Sequence, residues 1–176
     1  MMSVKSVRID ANRIYLEPFS MAHLTDNYIQ WLNDPVVVRY SEQRHVTHTR
    51  ESCFRYFQSF AQSAHLFYAI MLMSHPNEHI GNMTVFIDPY NKIADIGILI
   101  GEKKHWGNGY GLEAWKAMSD YLFASGIRKV TAGTMASNQG MLKIMQRSEM
   151  QLEGRRYKHF LHEGKEEDLI FYAISL

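Results

Sequence analysis

Three glycines alternate with other residues at positions 107, 109 and 111, immediately before a segment with helical periodicity. Glycine permits the sharp turns that bring successive backbone N–H groups towards a single ligand. The first N–H groups of a helix have no intrahelical partner, and the helix dipole is positive at that end. The spacing therefore predicts a binding site for a phosphate or pyrophosphate group.

Three kinds of nucleotide site use such a loop, and the neighbouring residues separate them. A P-loop has lysine and then serine or threonine after its last glycine, whereas Lys103 and Lys104 precede the glycines here. A Rossmann site has G-x-G-x-x-G early in a βαβ unit, whereas the spacing here is G-x-G-x-G and lies late in the chain. Coenzyme A binding is the third interpretation, and a nicotinamide-dependent oxidoreductase is its weaker competitor.

Histidine and cysteine, the other residue types with potential chemistry, form no motif. Six of the nine histidines occur in three close pairs, without an H-E-x-x-H motif or a cysteine and histidine cluster, so we expect no metal. Cys53 is the single cysteine and lies in an apolar helical stripe, which predicts a core position and excludes an internal disulfide. The histidine pairs are His45 and His48, His75 and His79, and His159 and His162.

The elements that must position the glycine loop follow from hydrophobic periodicity and capping residues. Their order is β-α-α-β-β-β-α-β-α-β-β, which predicts an α/β (mixed α+β) fold with one mixed sheet and helices on both faces. The predicted strands are 7–19, 66–73, 83–87, 93–100, 129–134, 151–161 and 167–175. The predicted helices are 21–32, 48–62, 110–125 and 138–148.

Length and charge narrow the class of protein. The 176 residues predict a single domain, 1–176, and a net charge of +1 gives no basic field for nucleic acid. The first residues carry charges throughout, unlike a signal peptide, and the longest apolar runs are too short for a membrane span. A single cysteine is typical of a protein in a reducing compartment, so we expect a cytoplasmic protein. We expect it to be a monomer or a homodimer.

Several segments together resemble one family. Trp106-x-x-Gly109-x-Gly111 is similar to the Q/R-x-x-G-x-G/A cofactor motif of the GNAT N-acetyltransferases, with tryptophan in place of the leading glutamine or arginine. The string WGNGYGLEAW resembles the ribosomal-protein N-terminal acetyltransferase type, called RimJ/RimL-like. WLNDPVV at 31–37, ADIG at 94–97, Asn138 and the closing segment from Leu152 are also similar. The resemblance implies the GNAT fold, with one central, mostly antiparallel sheet.

The resemblance also implies acetyl-CoA as the co-substrate. It implies that the backbone of Ile98, Leu99 and Ile100 pairs with the pantetheine arm, and that Asn138 hydrogen-bonds it or simply caps its helix. The pyrophosphate would lie on the loop and helix start formed by Trp106, Gly107, Asn108, Gly109, Tyr110, Gly111 and Leu112.

Acetyl transfer to an amine requires a base, a group that polarises the carbonyl and a leaving thiolate. The resemblance places Asp95 where relatives carry a general base that acts through water, although a solvated strand residue is equally compatible with the sequence. Alternation predicts that Asp95 faces away from Ile96 and Ile98. Relatives have serine or tyrosine as proton donor where this chain has Met141 and Met145, neither of which donates a proton.

The resemblance implies an acceptor pocket built by the first two helices, their connection and the closing hairpin. The connection at 31–44 mixes polar and aromatic residues, which suits a small polar amine such as an amino-sugar, or a protein N-terminus; a plain surface loop is the alternative. The predicted function is an N-acetyltransferase acting by direct attack in a ternary complex, and the alternative is a coenzyme A-binding protein that has lost catalysis. The expected acceptor-binding residues are Trp31, Arg39, Tyr40 and Glu42.

Overall fold

Eight strands form one sheet in the computed structural model, which describes residues 4–176; the first three residues of the predicted domain lie outside it. The strands are β1 (Ile9–Asp10), β2 (Ile14–Pro18), β3 (Leu66–Leu72), β4 (His79–Asp88), β5 (Ile93–Ile100), β6 (Lys129–Met135), β7 (Gln151–His162) and β8 (Lys165–Ser175). The helices are α1 (Asp26–Asn33), α2 (Arg50–Ala61), α3 (Tyr110–Ala124) and α4 (Gln139–Arg147). Short 3-10 helices cover Met21–His23, Glu42–His45 and Lys103–His105.

The strand order in the sheet is β1-β2-β3-β4-β5-β6-β8-β7. All neighbouring strands are antiparallel except β5 and β6, which are parallel. This arrangement confirms the predicted fold class, a mixed and mostly antiparallel sheet combined with helices.

Helices cover both faces of the sheet, and each face has its own apolar layer. On one face α3 and α4 pack against residues such as Ile70, Met83 and Ile96, with Trp115 of α3 fully buried. On the other face α1 and α2 pack against the alternate residues of the same strands, including Phe67 and Ala69. The period of two along each strand divides the apolar residues between the layers, which explains why β3 is buried throughout.

Two predicted elements are each divided in the structure. The predicted strand 7–19 is β1 and β2, because the N–H of Ala11 bonds to the carbonyl oxygen of Ile14 and closes a turn. The predicted helix 21–32 is a 3-10 turn followed by α1, because Thr25 leaves the helical conformation and its side chain caps α1 at the N–H of Tyr28. The strand predicted at 83–87 is β4, which begins earlier, at His79, and ends at Asp88.

The parallel strands β5 and β6 are paired over only three residues each. Residues Ile93, Ala94 and Asp95 pair with Lys129, Val130 and Thr131. Beyond Asp95, β5 continues beside β4, while β6 continues beside β8. The two strands therefore separate, and a gap opens in the middle of the sheet.

Candidate active site

The second half of β5 has one unpaired edge, which faces the gap. The carbonyl oxygen of Ile100 accepts a hydrogen bond from the indole Nε1 of Trp106 at 2.7 Å, so this carbonyl points away from β4. The N–H and C=O of one strand residue lie on the same edge and those of its neighbours on the other, so the backbone of Ile98 also faces the gap. The carbonyl of Leu99 points towards Gly81 of β4. Ile98 therefore offers both backbone groups to a ligand in the gap.

The glycine loop leads directly from this edge to the start of α3. Gly107 and Gly109 have φ values of 77° and 83°, in the left-handed region that glycine adopts without steric cost. Gly109 is the N-cap of α3, and a Cβ on Gly111 would lie 3.1 Å from Cδ1 of Ile144 in α4. Glycine at position 111 thus lets the first turn of α3 approach α4 closely.

The backbone N–H groups at the start of α3 are available to an anion. The N–H of Glu113 bonds back to Gly109, and within residues 4–176 no acceptor is found for the N–H groups of Asn108 to Leu112. Leu112 is half-buried in the first turn. The loop therefore retains free donors at the positive end of a helix of 15 residues, as an anion site requires.

Arg13, immediately before β2, fixes the loop in place. Its guanidinium donates to the carboxylate of Glu113 at 2.8 Å and to the carbonyl oxygen of Asn108 at 3.0 Å, and it lies 4.6 Å from the ring centre of Tyr110. The Glu113 carboxylate also accepts the backbone N–H of Arg13. The ring of Tyr110 lies against Arg13 and His105, with a centroid distance of 5.6 Å to the latter. Tyr110 is thus part of the scaffold of the loop.

Across the gap, Asn138 caps α4. Its Oδ1 accepts the N–H of Met141 at 3.2 Å, and its Nδ2 donates to the hydroxyl of Thr134 at 3.0 Å. Asn138 and Met141 both line a cavity that begins in the gap, whereas Met145 is fully buried in the apolar layer. Of the two methionines, only Met141 is placed to meet a ligand.

The cavity runs from the gap through the sheet to the face covered by α1 and α2. Its volume is about 460 Å³. Gly97 and Gly133 belong to its lining, and a Cβ on Gly97 would lie 3.0 Å from Oγ1 of Thr84. The α1 and α2 side is lined by Tyr28, Leu32, Tyr40, Ser41, Gln43, Val46, His48, Ser52, Cys53, Tyr56 and Phe67, and the sheet contributes Asn82, Thr84, Ile96, Gly97, Ile98, Leu99, Gly133 and Thr134.

Asp95 lies on the face of the sheet that the cavity reaches, two residues before Gly97, and outside the cavity lining. Its Oδ2 accepts a hydrogen bond from the hydroxyl of Thr131 at 2.7 Å. Although Asp95 is exposed overall, partial burial of its carboxylate raises its pKa, and the Thr131 hydroxyl partly opposes this effect. A water molecule is needed to connect this carboxylate to a ligand in the cavity.

Of the four expected acceptor-binding residues, only Tyr40 lines the cavity, and its ring stacks on His162 of β7 at 5.4 Å. Trp31 is 5% exposed and packs on Gly101 and on the ring of His79, so it supports the fold. Arg39 and Glu42 are exposed and lie outside the lining. They form ion pairs, Arg39 with Glu163 and Glu42 with Arg44.

Several cavity residues are not apparent from the sequence. In the sequence, Tyr28 is one of several apolar residues at helical spacing in the predicted helix 21–32. Asn82 lies in a predicted loop, but is 5% exposed, and its Oδ1 has no hydrogen-bond donor within the described chain. His48 is held by Asn33, whose side chain bonds both the N–H and the C=O of His48 at 2.8 Å. In the sequence, such a cavity residue can be noticed only where a polar residue interrupts the apolar residues of a helix or strand.

Within residues 4–176, no three histidine, cysteine, aspartate or glutamate side chains are grouped as a metal site requires. Among the same residues, no helix combines the length and apolar character of a membrane-spanning segment.

Comparison with known proteins agrees with this geometry. Residues 13–151 match the family described as Acetyltransferase (GNAT) domain. No curated protein sequence matches the chain.

Solved structures show the same fold at low sequence identity. A RimL ribosomal L7/L12 alpha-N-protein acetyltransferase in complex with coenzyme A has a TM-score of 0.85 and 20% identity, over 96% of this chain and 98% of that chain. Spermidine N-acetyltransferase from Vibrio cholerae, in complex with CoA and spermine, has a TM-score of 0.82 and 15% identity, over 93% and 95%. Ribosomal-protein-S5-alanine acetyltransferase from Vibrio fischeri has a TM-score of 0.81 and 15% identity, over 96% of both chains. Since the family match spans most of its length, the chain belongs to the GNAT acetyltransferase family.

Proposed function

We propose that this protein is an N-acetyltransferase that moves the acetyl group of acetyl-CoA to a primary amine. One observation carries the proposal: the open edge of β5 connects the free N–H groups of the glycine loop to a cavity on the opposite face of the sheet. A ligand with an anionic end and an extended polar arm fits this path. Its acyl end then meets a second ligand that enters from the α1 and α2 side.

The residues along this path fit coenzyme A. Backbone N–H groups from Asn108 to Leu112 would hold the pyrophosphate, with the positive end of α3 behind them. The N–H and C=O of Ile98 would pair with the amides of the pantetheine arm, as a neighbouring strand does. Asn138 lines the same gap and can contact the arm while it caps α4. Acetyl-CoA supplies a thioester, whose carbonyl carbon accepts the amine.

The transfer then requires one bond to form and one to break. The amine nitrogen attacks the acetyl carbonyl carbon, the new C–N bond forms, and the C–S bond breaks to release the thiolate of coenzyme A. We assign the removal of the amine proton to Asp95, acting through water, because its carboxylate lies on the face of the sheet that the cavity reaches and its pKa is raised. Met141 cannot donate a proton, so the thiolate is protonated by another group at the site, by water or by the proton that the amine releases.

Two acceptor classes are compatible with this site, a small amine and a protein N-terminus. The neighbouring structures include enzymes named for each class, a spermidine acetyltransferase and ribosomal-protein acetyltransferases. The cavity is large enough for a small amine or for the first residue of a peptide.

The test is a panel of amines incubated with the protein and acetyl-CoA, with free thiol and the mass of the product as readouts. We expect thiol release that depends on an added amine, together with an acetylated product. Coenzyme A binding without turnover on any amine would instead favour a protein that has lost catalysis. Binding of NAD(H) with no binding of coenzyme A would exclude both interpretations.

A further inference from the structure

The cavity wall is polar but offers no carboxylate to a cation. Among the described residues that line it there is no aspartate, glutamate, lysine or arginine. Its polar side chains are hydroxyls, carboxamides, the Cys53 thiol, the His48 imidazole and the Trp115 indole. Burial raises the pKa of Tyr28, Tyr56 and Cys53, so these groups remain neutral near physiological pH.

Carboxylates next to the lining residues in sequence have other partners. Glu42 lies between the lining residues Ser41 and Gln43, but it pairs with Arg44 at 2.7 Å. Glu51 pairs with Arg55 at 2.5 Å, on the exposed side of α2. Asp95 accepts the Thr131 hydroxyl outside the lining. The lining therefore gives an ammonium group inside the cavity no carboxylate in direct contact, and Asp95 reaches the cavity only through water.

We infer that the acceptor carries one amine, and no second charge on the part that enters the cavity. The inference rests on the proposed function and narrows its substrate class. A charge moved from water into a neutral cavity without a counter-ion loses hydration that nothing restores. A monoamine enters as its neutral base, and a peptide with uncharged first side chains does the same.

The same argument excludes other amines. Polyamines and aminoglycosides carry at least one further ammonium group close to the one that reacts. That second group would lie against tyrosine hydroxyls and the Asn82 carboxamide, which are neutral dipoles. Such partners stabilise a buried ammonium far less than a carboxylate does. A neutral amine, in contrast, can donate its N–H to these oxygen atoms without loss.

The experiment compares two acceptors of equal length, pentylamine and cadaverine, which differ by a terminal ammonium group. With wild-type protein and acetyl-CoA, we expect kcat/KM for cadaverine to be lower by at least about tenfold, the effect of one uncompensated charge. Gln43→Glu places a carboxylate of nearly the same shape in the wall, and we expect it to raise the cadaverine-to-pentylamine ratio. Gln58→Glu adds the same charge on the exposed face of α2, outside the cavity, and should leave the ratio unchanged.

The outcomes separate the inference from the proposed function. If wild-type protein acetylates cadaverine as well as or better than pentylamine, the inference is wrong while the acetyltransferase assignment stands. A ratio that Gln43→Glu and Gln58→Glu change equally would also overturn it, because the effect would then come from net charge. If neither amine nor an N-terminal peptide is acetylated, the proposed function fails, and the inference fails with it.

Discussion

The indole Nε1 of Trp106 donates a hydrogen bond to the carbonyl oxygen of Ile100 at 2.7 Å. This bond joins the first residue of the cofactor motif to the last residue of β5. It ties the glycine loop to the strand edge that faces the gap, although Trp106 is itself 42% exposed. The tryptophan that replaces the usual glutamine or arginine therefore has a defined structural role, to hold the loop against the strand.

Removal of this bond should weaken cofactor binding with little effect on folding. Trp106→Phe keeps an aromatic ring and loses the N–H donor, a hydrogen bond worth about 1 kcal/mol. We expect the KM for acetyl-CoA to rise about fivefold, as that free energy implies, and the melting temperature to change little. Tyr90→Phe, which also removes a polar atom from an exposed aromatic residue, is the control. An unchanged KM in Trp106→Phe would show that the loop needs no tether.

Gly109 is required for its backbone conformation. Its φ is 83°, and a Cβ there would lie 3.4 Å from Nη2 of Arg13, which is ordinary contact. The cost of Gly109→Ala is therefore conformational, about 1–2 kcal/mol in the free energy of unfolding. Gly109→Asn should lose less, because asparagine adopts this conformation more readily. Urea denaturation of both variants measures the difference, and equal losses would refute the conformational explanation.

The Glu113 carboxylate should make stability depend on pH. Burial acts to raise its pKa, but hydrogen bonds from the backbone and guanidinium of Arg13 outweigh burial, and the pKa is lowered. A lowered folded-state pKa gives stabilisation that is present above the ordinary value of about 4.3 and is lost as the pH falls through the folded-state pKa. Glu113→Gln should therefore be less stable than wild type at pH 7, by roughly 1–3 kcal/mol. A difference in unfolding free energy that does not shrink in acid would contradict this account.

The pH–rate profile tests Asp95 and its partner together. Burial raises the pKa of Asp95, so the acidic limb of kcat/KM should lie above the ordinary aspartate pKa of about 3.9. Asp95→Asn should lower kcat and remove that limb. Thr131→Val removes the hydroxyl that opposes the shift, so it should move the limb to higher pH while activity is retained. If Asp95→Asn leaves kcat and the profile unchanged, Asp95 is not the base.

Sequence periodicity correctly predicted the elements whose ends are marked by nearby turn or capping residues. The strand Ile93–Ile100 has exactly its predicted bounds, because the turn before it and the glycine after it are visible in the sequence. The strand containing His79 was predicted too short, since its first residues read as a polar loop. Buried contacts hold His79 in the sheet, where its ring lies 4.9 Å from that of Trp31 and its pKa is lowered to about 3 by burial. Such tertiary contacts have no local signature.

The cofactor half of the candidate site could be predicted from the sequence more completely than the acceptor half. The cofactor half depends on glycine conformations and a helix end, and both are encoded within a few residues. The acceptor half is assembled from α1, α2, their connection and four strands, so its members are adjacent only after folding. Trp31, expected to bind the acceptor, packs into the core, while Tyr56 and Asn82 line the cavity. Residue type alone does not distinguish these positions.

Two-substrate initial-rate kinetics tests the central claim most directly. Thiol release is measured while acetyl-CoA and a monoamine acceptor are both varied. Direct attack in a ternary complex predicts release that requires the amine, with double-reciprocal lines that intersect. The buried Cys53, whose pKa is raised by burial, is not expected to carry the acetyl group. Parallel lines, the sign of a covalent acetyl-enzyme, or thiol release independent of the amine would contradict the account.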